Sequence, residues 1–387
     1  MSKVSIIIPV YNNFELTLMC INSIKKHCMD NNYEIIVVDD CSTDDTSEFF
    51  KLQDEVRYIR NKYNRGFAYT CNRGAEVAEG DYLLFLNNDT LIKNNFIKII
   101  IESFTKYKDA AILGAKLLYN DNTIQHAGVL IYPDKHLGHL FKNFPSNYPD
   151  ANKIRELQAV TGACLAIRKE LFFKVNMFDE NFINGFEDID LCFKIRELGY
   201  KIIYNPNIFL IHLEEKTRKK FKTENDKKNS ELLSKRWIIK ASPDFFLLDE
   251  GYDFKLNCLG EFYLIKKNFQ HIEGVELLNS ILIEPLYFDG YKKLISQLLE
   301  KKDYKNAEII ANRLIMFEPI IDNFKILKKI IGFQNDINRL NSIDEIIKNF
   351  EEQKILIKNR IKYIFDYLVK QGNFKVSRYY EEWLKNC

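Results

Sequence analysis

The chain predicts an α/β protein: a doubly wound sheet in its first half, followed by an all-α C-terminal region. Three observations carry this. Short, largely apolar runs at Val4 to Val10, Tyr33 to Val38, Val56 to Arg60 and Tyr82 to Leu86 each stop abruptly in polar residues, as strands buried on both faces do. Helix-length segments alternate with them, which is the order of right-handed βαβ units. From about Pro243 the buried-strand runs cease, and Lys, Glu, Ile, Leu and Tyr recur at helical spacing.

The length of 387 residues suits two or three domains. A hydrophobic fraction of 46% and a charged fraction of 28% are those of an ordinary globular protein. With 56 basic against 54 acidic residues there is no general affinity for polyanions, so nucleic acid is not an expected partner. No apolar run approaches the ~18 residues of a membrane helix, and the start, M-S-K-V-S-I-I-I-P, is too short in apolar residues for a secretion signal. The expectation is a cytoplasmic protein without an integral membrane segment, peripheral at most at the inner membrane face. The eight cysteines form no C-x-x-C and read as reduced core fillers. His136 and His139 form an H-x-x-H that lacks Cys or acidic partners at zinc spacing.

In chain order, the first strand closes at Pro9 and opens into Tyr11-Asn12-Asn13, before a helix from about Glu15 to Cys28. The second strand ends in Asp39-Asp40-Cys41-Ser42-Thr43-Asp44, where Ser42, Thr43 or Asp44 can cap a helix over Thr46 to Leu52. Asp40 is not needed as a cap. A carboxylate just past a strand end can accept the N–H of a pyrimidine or a ribose hydroxyl. After the third strand, Gly66 permits a tight turn into a helix over Ala68 to Ala78. Tyr82 to Leu86 then stops at Asn87-Asn88-Asp89, where an open α/β sheet meets a substrate or hard cation, although Asn and Asp are also common turn formers. The absence of G-x-G-x-x-G and of a phosphate loop disfavours a dinucleotide-binding or P-loop domain.

Farther on, Phe96 to Tyr107 reads as an amphipathic helix and Ala111 to Leu118 as a strand. Pro133, Pro145 and Pro149 among Phe141, Phe144 and Tyr148 predict a loop, mobile over an acceptor. Val160 to Ile167 reads as a strand, and Glu187-Asp188-Ile189-Asp190 opens a helix that Gly199 stops. Acids in a first helical turn are also what the macrodipole favours. Ile208 to His212 is the last expected strand.

Together and in order, S-I-I-I-P-V-Y-N-N, V-V-D-D-C-S-T-D-D-T, N-R-G-F-A-Y-T-C-N-R-G and D-Y-L-L-F-L-N-N-D resemble the nucleotide-binding half of the inverting family 2 glycosyltransferases of GT-A fold. The resemblance implies a GT-A doubly wound mixed sheet. It implies nucleotide contacts from Pro9, Tyr11, Asn12, Asp39, Asp40, Asn64, Gly66, Asn72 and Asn88, and a divalent metal, Mn2+ or Mg2+, held by Asp89 and His212. Asn87 replaces the first acid of the family's D-x-D, which implies modest metal affinity and leaves Asn87 to the sugar. T-I-Q-H-A-G resembles a segment of rhamnosyl- and N-acetylhexosaminyltransferases, with His126 either touching the donor sugar or orienting a loop. T-G-A at Gly162 resembles the wall of the sugar pocket. E-D-I-D resembles the family's E-D-x-D, which makes Asp188 the general base and gives Glu187 and Asp190 to the acceptor or to fixing the helix. Lys216 and Arg218 resemble a basic lid over the diphosphate, in a charge run that also reads as a solvated face.

The expected organisation is a catalytic domain over 1–215, a basic lid and linker over 216–242, and a helical domain over 243–387. In the last, Glu284-Pro285 and Glu318-Pro319 recur 34 residues apart, the period and terminal Pro of tetratricopeptide-like helix pairs. The function implied is transfer of a sugar from UDP-GlcNAc or dTDP-rhamnose to a hydroxyl. The helical tail favours Ser or Thr of a bacterial surface protein such as flagellin over a surface polysaccharide or lipid-linked glycan, and offers a surface for homo-oligomerisation. A nucleotidyltransferase and a non-catalytic nucleotide-sugar-binding scaffold are the rivals from other classes.

Overall fold

A computed structural model of the protein describes residues 2–28, 32–213, 224–267 and 276–386. The chain divides into two compact units, Met1–Leu130 with Leu137–Ser242, and Ile131–His136 with Pro243–Cys387.

The first unit opens with β1 (Val4–Val10), α1 (Phe14–His27), β2 (Tyr33–Asp39), α2 (Thr46–Phe50), β3 (Arg57–Arg60), α3 (Phe67–Val77) and β4 (Tyr82–Leu86). Then follow β5 (Thr90–Ile92), α4 (Phe96–Lys106), β6 (Ala110–Leu118), β7 (Ile124–His126), β8 (Val129–Ile131), β9 (Leu137–His139), β10 (Arg155–Leu157), β11 (Cys164–Arg168), α5 (Lys169–Lys174), α6 (Glu187–Glu197), β12 (Lys201–His212) and α7 (Glu224–Trp237). Among the described residues, ten strands make one sheet in the order β10-β12-β6-β11-β4-β1-β2-β3, with β5 on β12 and β7 on β6. β8 and β9 pair apart from it. The sheet is mixed, because β11 runs antiparallel between β4 and β6.

Register sets the site. Val10 lies opposite Asp39 and Ile7 opposite Phe85 in parallel pairs, so the loops after β1, β2 and β4 emerge at one edge. Antiparallel β11 places Cys164 opposite Leu86, which brings its preceding residues to that same edge, and His212 pairs with Thr90, beside Asp89. β1, β2 and β4 are mostly apolar because both faces are covered; each fully buried Ile or Leu in them contributes about 1.5–3 kcal/mol. Gly74 of α3 lets that helix lie on β1, where a Cβ would fall 2.4 Å from Ile7 Cγ2.

Two expectations in this unit are corrected. The last strand starts at Lys201, not Ile208, because a register shift between Tyr204 and Phe209 absorbs Asn205-Pro206-Asn207 without ending the ladder. The stretch expected to be a mobile loop is instead packed: Phe141, Phe144 and Tyr148 are buried with ring centroids 4.8–5.4 Å apart.

The second unit is not all-α. After α8 (Phe246–Asp249), β13 (Tyr252–Leu256) and β14 (Phe262–Lys266) form an antiparallel hairpin. Tyr252, Phe254 and Leu256 are buried while Asp253 and Lys255 are not, a period of two that the surrounding Lys and Glu obscure. Helices α9 (Leu277–Ile283), α10 (Phe288–Glu300), α11 (Tyr304–Phe317), α12 (Ile321–Gln334), α13 (Ile337–Lys370) and α14 (Phe374–Asn386) follow, each packed on the next. Asp303 and Asp336 cap α11 and α13 by accepting from Asn306 N and Arg339 N. Glu284 and Glu318 stand just past α9 and α11, each before the proline that ends the segment. Among the described residues no helix is long and apolar enough to cross a membrane.

Candidate active site

The strand ends converge on a cavity of about 650 Å³ within the first unit. Its walls include Pro9, Tyr11, Asp40, Asn64, Gly66, Asn87, Asn88, Asp89, Gly162, Glu187, Asp188 and His212, which come from stretches far apart in sequence.

One wall is built around Asp40. Its carboxylate accepts from Asn61 Nδ2 (2.8 Å), from Arg65 N (2.9 Å and 3.1 Å) and from Gly66 N (2.8 Å). Gly66, with φ of 84°, sits where an L side chain would be strained. Asp40 thus shapes the Asn64–Gly66 turn while lining the cavity. Tyr11, 50% exposed at the rim, offers an aromatic face.

The floor is the turn after β4. Asn87 N donates to Ala163 O (3.0 Å), and Asn88 Nδ2 donates to Thr17 Oγ1 (2.9 Å). Asp89 Oδ1 lies 3.1 Å from His212 Nε2, and both residues are almost wholly buried. His212 Nδ1 is 2.7 Å from Gln125 Oε1, an atom that can only accept, so the imidazole proton lies on Nδ1. The Nε2 lone pair therefore faces Asn87 Nδ2 at 3.3 Å and the Asp89 carboxylate. A lone pair and a carboxylate oxygen this close repel unless a cation or proton lies between them, so the pair fits a divalent metal. Among the described residues there is no cluster of three or more His, Cys, Asp or Glu able to hold a metal, so a metal on this pair would need further ligands to complete its shell.

A second wall hangs on Thr161-Gly162-Ala163. Thr161 N donates to His126 Nε2 (3.4 Å), Gly162 N donates to Asp188 Oδ2 (2.6 Å), and Ala163 O receives Asn87 N. A Cβ on Gly162 would lie 3.2 Å from Asp188 Cβ, which explains the need for a small residue there. Asp188 Oδ1 also accepts from Ile189 N (2.8 Å). Before α6, Asn184, Gly185 and Phe186 all have positive φ (55°, 154° and 72°). Asn184 Oδ1 accepts from Phe67 N (3.0 Å) and Glu187 Oε2 from Gly185 N (2.6 Å), so this unusual loop is held from two sides.

Five residues expected at the site do not line the cavity. Asp39, fully buried, accepts from Ser42 N (2.7 Å), Tyr58 Oη (2.5 Å) and Arg60 Nη1 (2.5 Å). Asn12 Oδ1 accepts from Thr43 N (2.8 Å) and ties the loops after β1 and β2 together. Asn72 donates to Phe178 O (3.0 Å) and accepts from Phe178 N (3.1 Å). Asp190, with no exposed surface, accepts from Trp237 Nε1 (2.8 Å) and Arg236 Nη1 (3.1 Å), with Lys194 Nζ at 2.9 Å, and so docks α7 on α6. His126 is buried with its Nδ1 2.7 Å from His139 Nδ1; burial, together with His139 and His212, holds it well below the usual imidazole range. It orients the strand that brings His139 to the cavity wall. Lys216 and Arg218 lie outside the described residues.

Sequence reasoning missed Asn184, His139 and Asn229, the last of which donates from α7 to Ile183 O and Gly185 O. Asn184-Gly185, a pair that favours left-handed backbone, was the one local signal among them.

Residues 5–175 match the sequence profile of Glycosyl transferase family 2. The chain is 33% identical over 237 residues to an uncharacterized protein of Sinorhizobium fredii, covering 56% of this chain and 25% of that one. It is 28% identical over 227 residues to the O-antigen biosynthesis protein RfbC of Myxococcus xanthus (56% of this chain, 18% of that one). It is 26% identical over 215 residues to the glycosyltransferase GlyG of Streptococcus pneumoniae (54% and 69%). The chain thus spans a quarter or less of the first two relatives. Its fold is similar to that of GalNAc-T7, whose crystal structure holds UDP, GalNAc and Mn2+, with a TM-score of 0.52 at 18% identity over 62% of this chain and 50% of that one.

Proposed function

We propose, for a chain whose residues 5–175 belong to glycosyl transferase family 2, that it transfers one sugar from a nucleoside diphosphate to an acceptor hydroxyl with inversion. The observation that carries the reading is that the Asp188 carboxylate and the Asp89–His212 pair share one cavity with the Asp40 wall. Asp188 takes the proton of the acceptor hydroxyl as its oxygen bonds to the anomeric carbon; the bond from that carbon to the diphosphate oxygen breaks, and a single displacement inverts the centre. Gly162 N–H holds Asp188 in one orientation for this step. A divalent cation on Asp89 Oδ1 and His212 Nε2 would offset the charge on the departing diphosphate. Gln125 fixes the tautomer that leaves Nε2 available for it. Tyr11 and the Asp40 wall receive the base, which suits a pyrimidine donor such as UDP-GlcNAc or dTDP-rhamnose.

For the acceptor, the helical second unit favours a polypeptide Ser or Thr, with a bacterial surface protein such as flagellin as the candidate. A surface polysaccharide or lipid-linked glycan is the second reading, favoured by the likeness to an O-antigen biosynthesis protein.

The test is to incubate the purified protein with a panel of nucleotide sugars, with Mn2+ or Mg2+ and with excess chelator, following nucleoside diphosphate release with and without polypeptide and glycan acceptors. Turnover of a pyrimidine donor that the chelator suppresses is expected. Full activity in chelator removes the metal, and pyrophosphate release from a sugar phosphate and a nucleoside triphosphate would identify a nucleotidyltransferase instead.

A further inference from the structure

We propose that Asn229 of α7 is a positioning residue for Asp188, acting through the loop before α6. The proposal rests on Asp188 as the base of the reaction above. Asn229 is 2% exposed, and both its amide donors and its carbonyl oxygen are turned onto one stretch of backbone. Its Oδ1 accepts from Ile183 N (3.3 Å), and its Nδ2 donates to Ile183 O and Gly185 O (3.0 Å each). Asn is a poor helix former, and a buried amide is costly unless every group is satisfied, so nothing in α7 itself favours this residue there.

The clamped loop needs external support. Asn184, Gly185 and Phe186 are consecutive positive-φ residues, and a phenylalanine at φ of 72° persists only where its surroundings impose it. Asn184 Oδ1 and Glu187 Oε2 hold the loop from the α3 and α6 sides; Asn229 holds it from the third. The next residues are Glu187 and Asp188, so the path of this loop sets the direction of the first turn of α6.

The far end of α7 is fixed independently. Arg236 bridges Asp179 (2.6 Å) and Asp190, Trp237 donates to Asp190, and the Trp237 ring stacks on Phe193 at 5.4 Å. Asp190, which the resemblance gave to the acceptor or to fixing the helix, is thereby an anchor for the helix that steadies the base. The helix is tied at one end to the body of α6 and at the other to the loop leading into it.

The test is a pair of substitutions. Asn229→Asp keeps the shape but sets carboxylate oxygens against two carbonyl oxygens; Asn229→Ala removes the clamp without adding charge and guards against simple loss of fold. Two quantities are read: donor turnover, and backbone amide exchange over residues 183–190. We expect kcat to fall on the order of 10²-fold in Asn229→Asp, with a smaller loss in Asn229→Ala, while the donor KM and UDP affinity stay near those of the unaltered protein. Exchange should quicken over 183–190 and at Phe67, whose N–H donates to Asn184, and not at Arg65, Gly66 or Asn87–Asp89. Full kcat in the isosteric Asp variant, or unchanged exchange at 183–190, overturns the proposal; so does a loss confined to KM. Should the unaltered protein turn over no nucleotide sugar, the reading of Asp188 fails separately, and the exchange result alone decides whether Asn229 orders the loop.

Discussion

The two walls of the cavity are held in different ways. On the Asp40 side, one carboxylate gathers donors from Asn61, Arg65 and Gly66, all within 26 residues of it, and Asn12 stitches two neighbouring loops together. On the Asp188 side, the acid is held by Gly162, likewise 26 residues away, but the loop before it is held by Phe67 and Asn229, 117 and 44 residues from the groups they meet. The bonds to the Asp40 carboxylate all come from one segment, residues 61–66, and none comes from the Asp188 loop. A wall assembled from four distant stretches can be misplaced by a change in any of them. Binding of the nucleotide and chemistry on the sugar should therefore fail separately when the two walls are altered separately.

The largest separation is expected from Asp188→Asn. The amide keeps the shape but cannot take a proton, so kcat should fall by roughly 10²–10⁴-fold, while UDP affinity measured by calorimetry is retained. Loss of both together would mean that the two walls are one unit and would sink the assignment of the base.

The converse is Asp40→Asn. An amide turned either way sets an N–H₂ against the Arg65 and Gly66 donors or forfeits one carboxylate oxygen, and hydrogen bonds to a charged group are worth about 1.5–3 kcal/mol each. Affinity for UDP should drop by about 10- to 100-fold, with kcat at saturating donor changed far less. A fall in kcat with unchanged affinity would reverse the roles of the walls.

Asp190→Asn probes the second wall without touching the cavity. Breaking a buried charge pair costs about 3–5 kcal/mol, and the partial exposure of Arg236 and Lys194 reduces this to about 1–3 kcal/mol. Thermal unfolding should come at lower temperature and kcat should fall modestly, again with UDP affinity intact. Undiminished stability would mean that α7 is held by its apolar contacts alone.

The same contrast explains what was legible in the sequence. Strands β1, β2 and β4 could be read to within a residue because burial on both faces leaves a nearly continuous apolar run. Asp89, Asp188 and His212 were singled out because their motifs resemble a family, and all three line one cavity. Asp39 and Asn72 were given to ligands for the same reason and Asp190 to the acceptor or to fixing the helix, yet each bonds to protein groups away from the cavity. An acid or amide at a strand end or helix start suits a ligand and a clamp equally, and the choice is made by Arg60, Phe178 or Trp237, which no local pattern identifies. Asn229 sits in a stretch rich in Lys, Asn and Glu, where one more polar residue carries no signal. The β13–β14 hairpin was hidden likewise, its alternation of two masked by charged residues on the outer face.

The smallest effect concerns His126, which separates stability of the second wall from its chemistry. Burial and the neighbouring His139 and His212 hold this imidazole well below its ordinary value. In the unfolded chain it titrates near pH ~6.5. Above that value it is neutral in both states and contributes no pH dependence. As the pH falls below it, the unfolded chain takes up a proton that the native protein refuses, and stability declines by up to about 1.4 kcal/mol per pH unit until the native group is itself protonated. His126→Gln keeps a donor for His139 and removes the titration, so urea unfolding followed between about pH 5 and pH 8 should lose that part of its slope. The substitution should leave UDP affinity as it was, because His126 does not line the cavity. An unchanged slope would mean that His126 takes up its proton in the native protein as readily as in the unfolded chain, in which case the protonated ring could not accept from Thr161 N–H and the hub at Thr161–Ala163 would have to be held by other bonds at low pH.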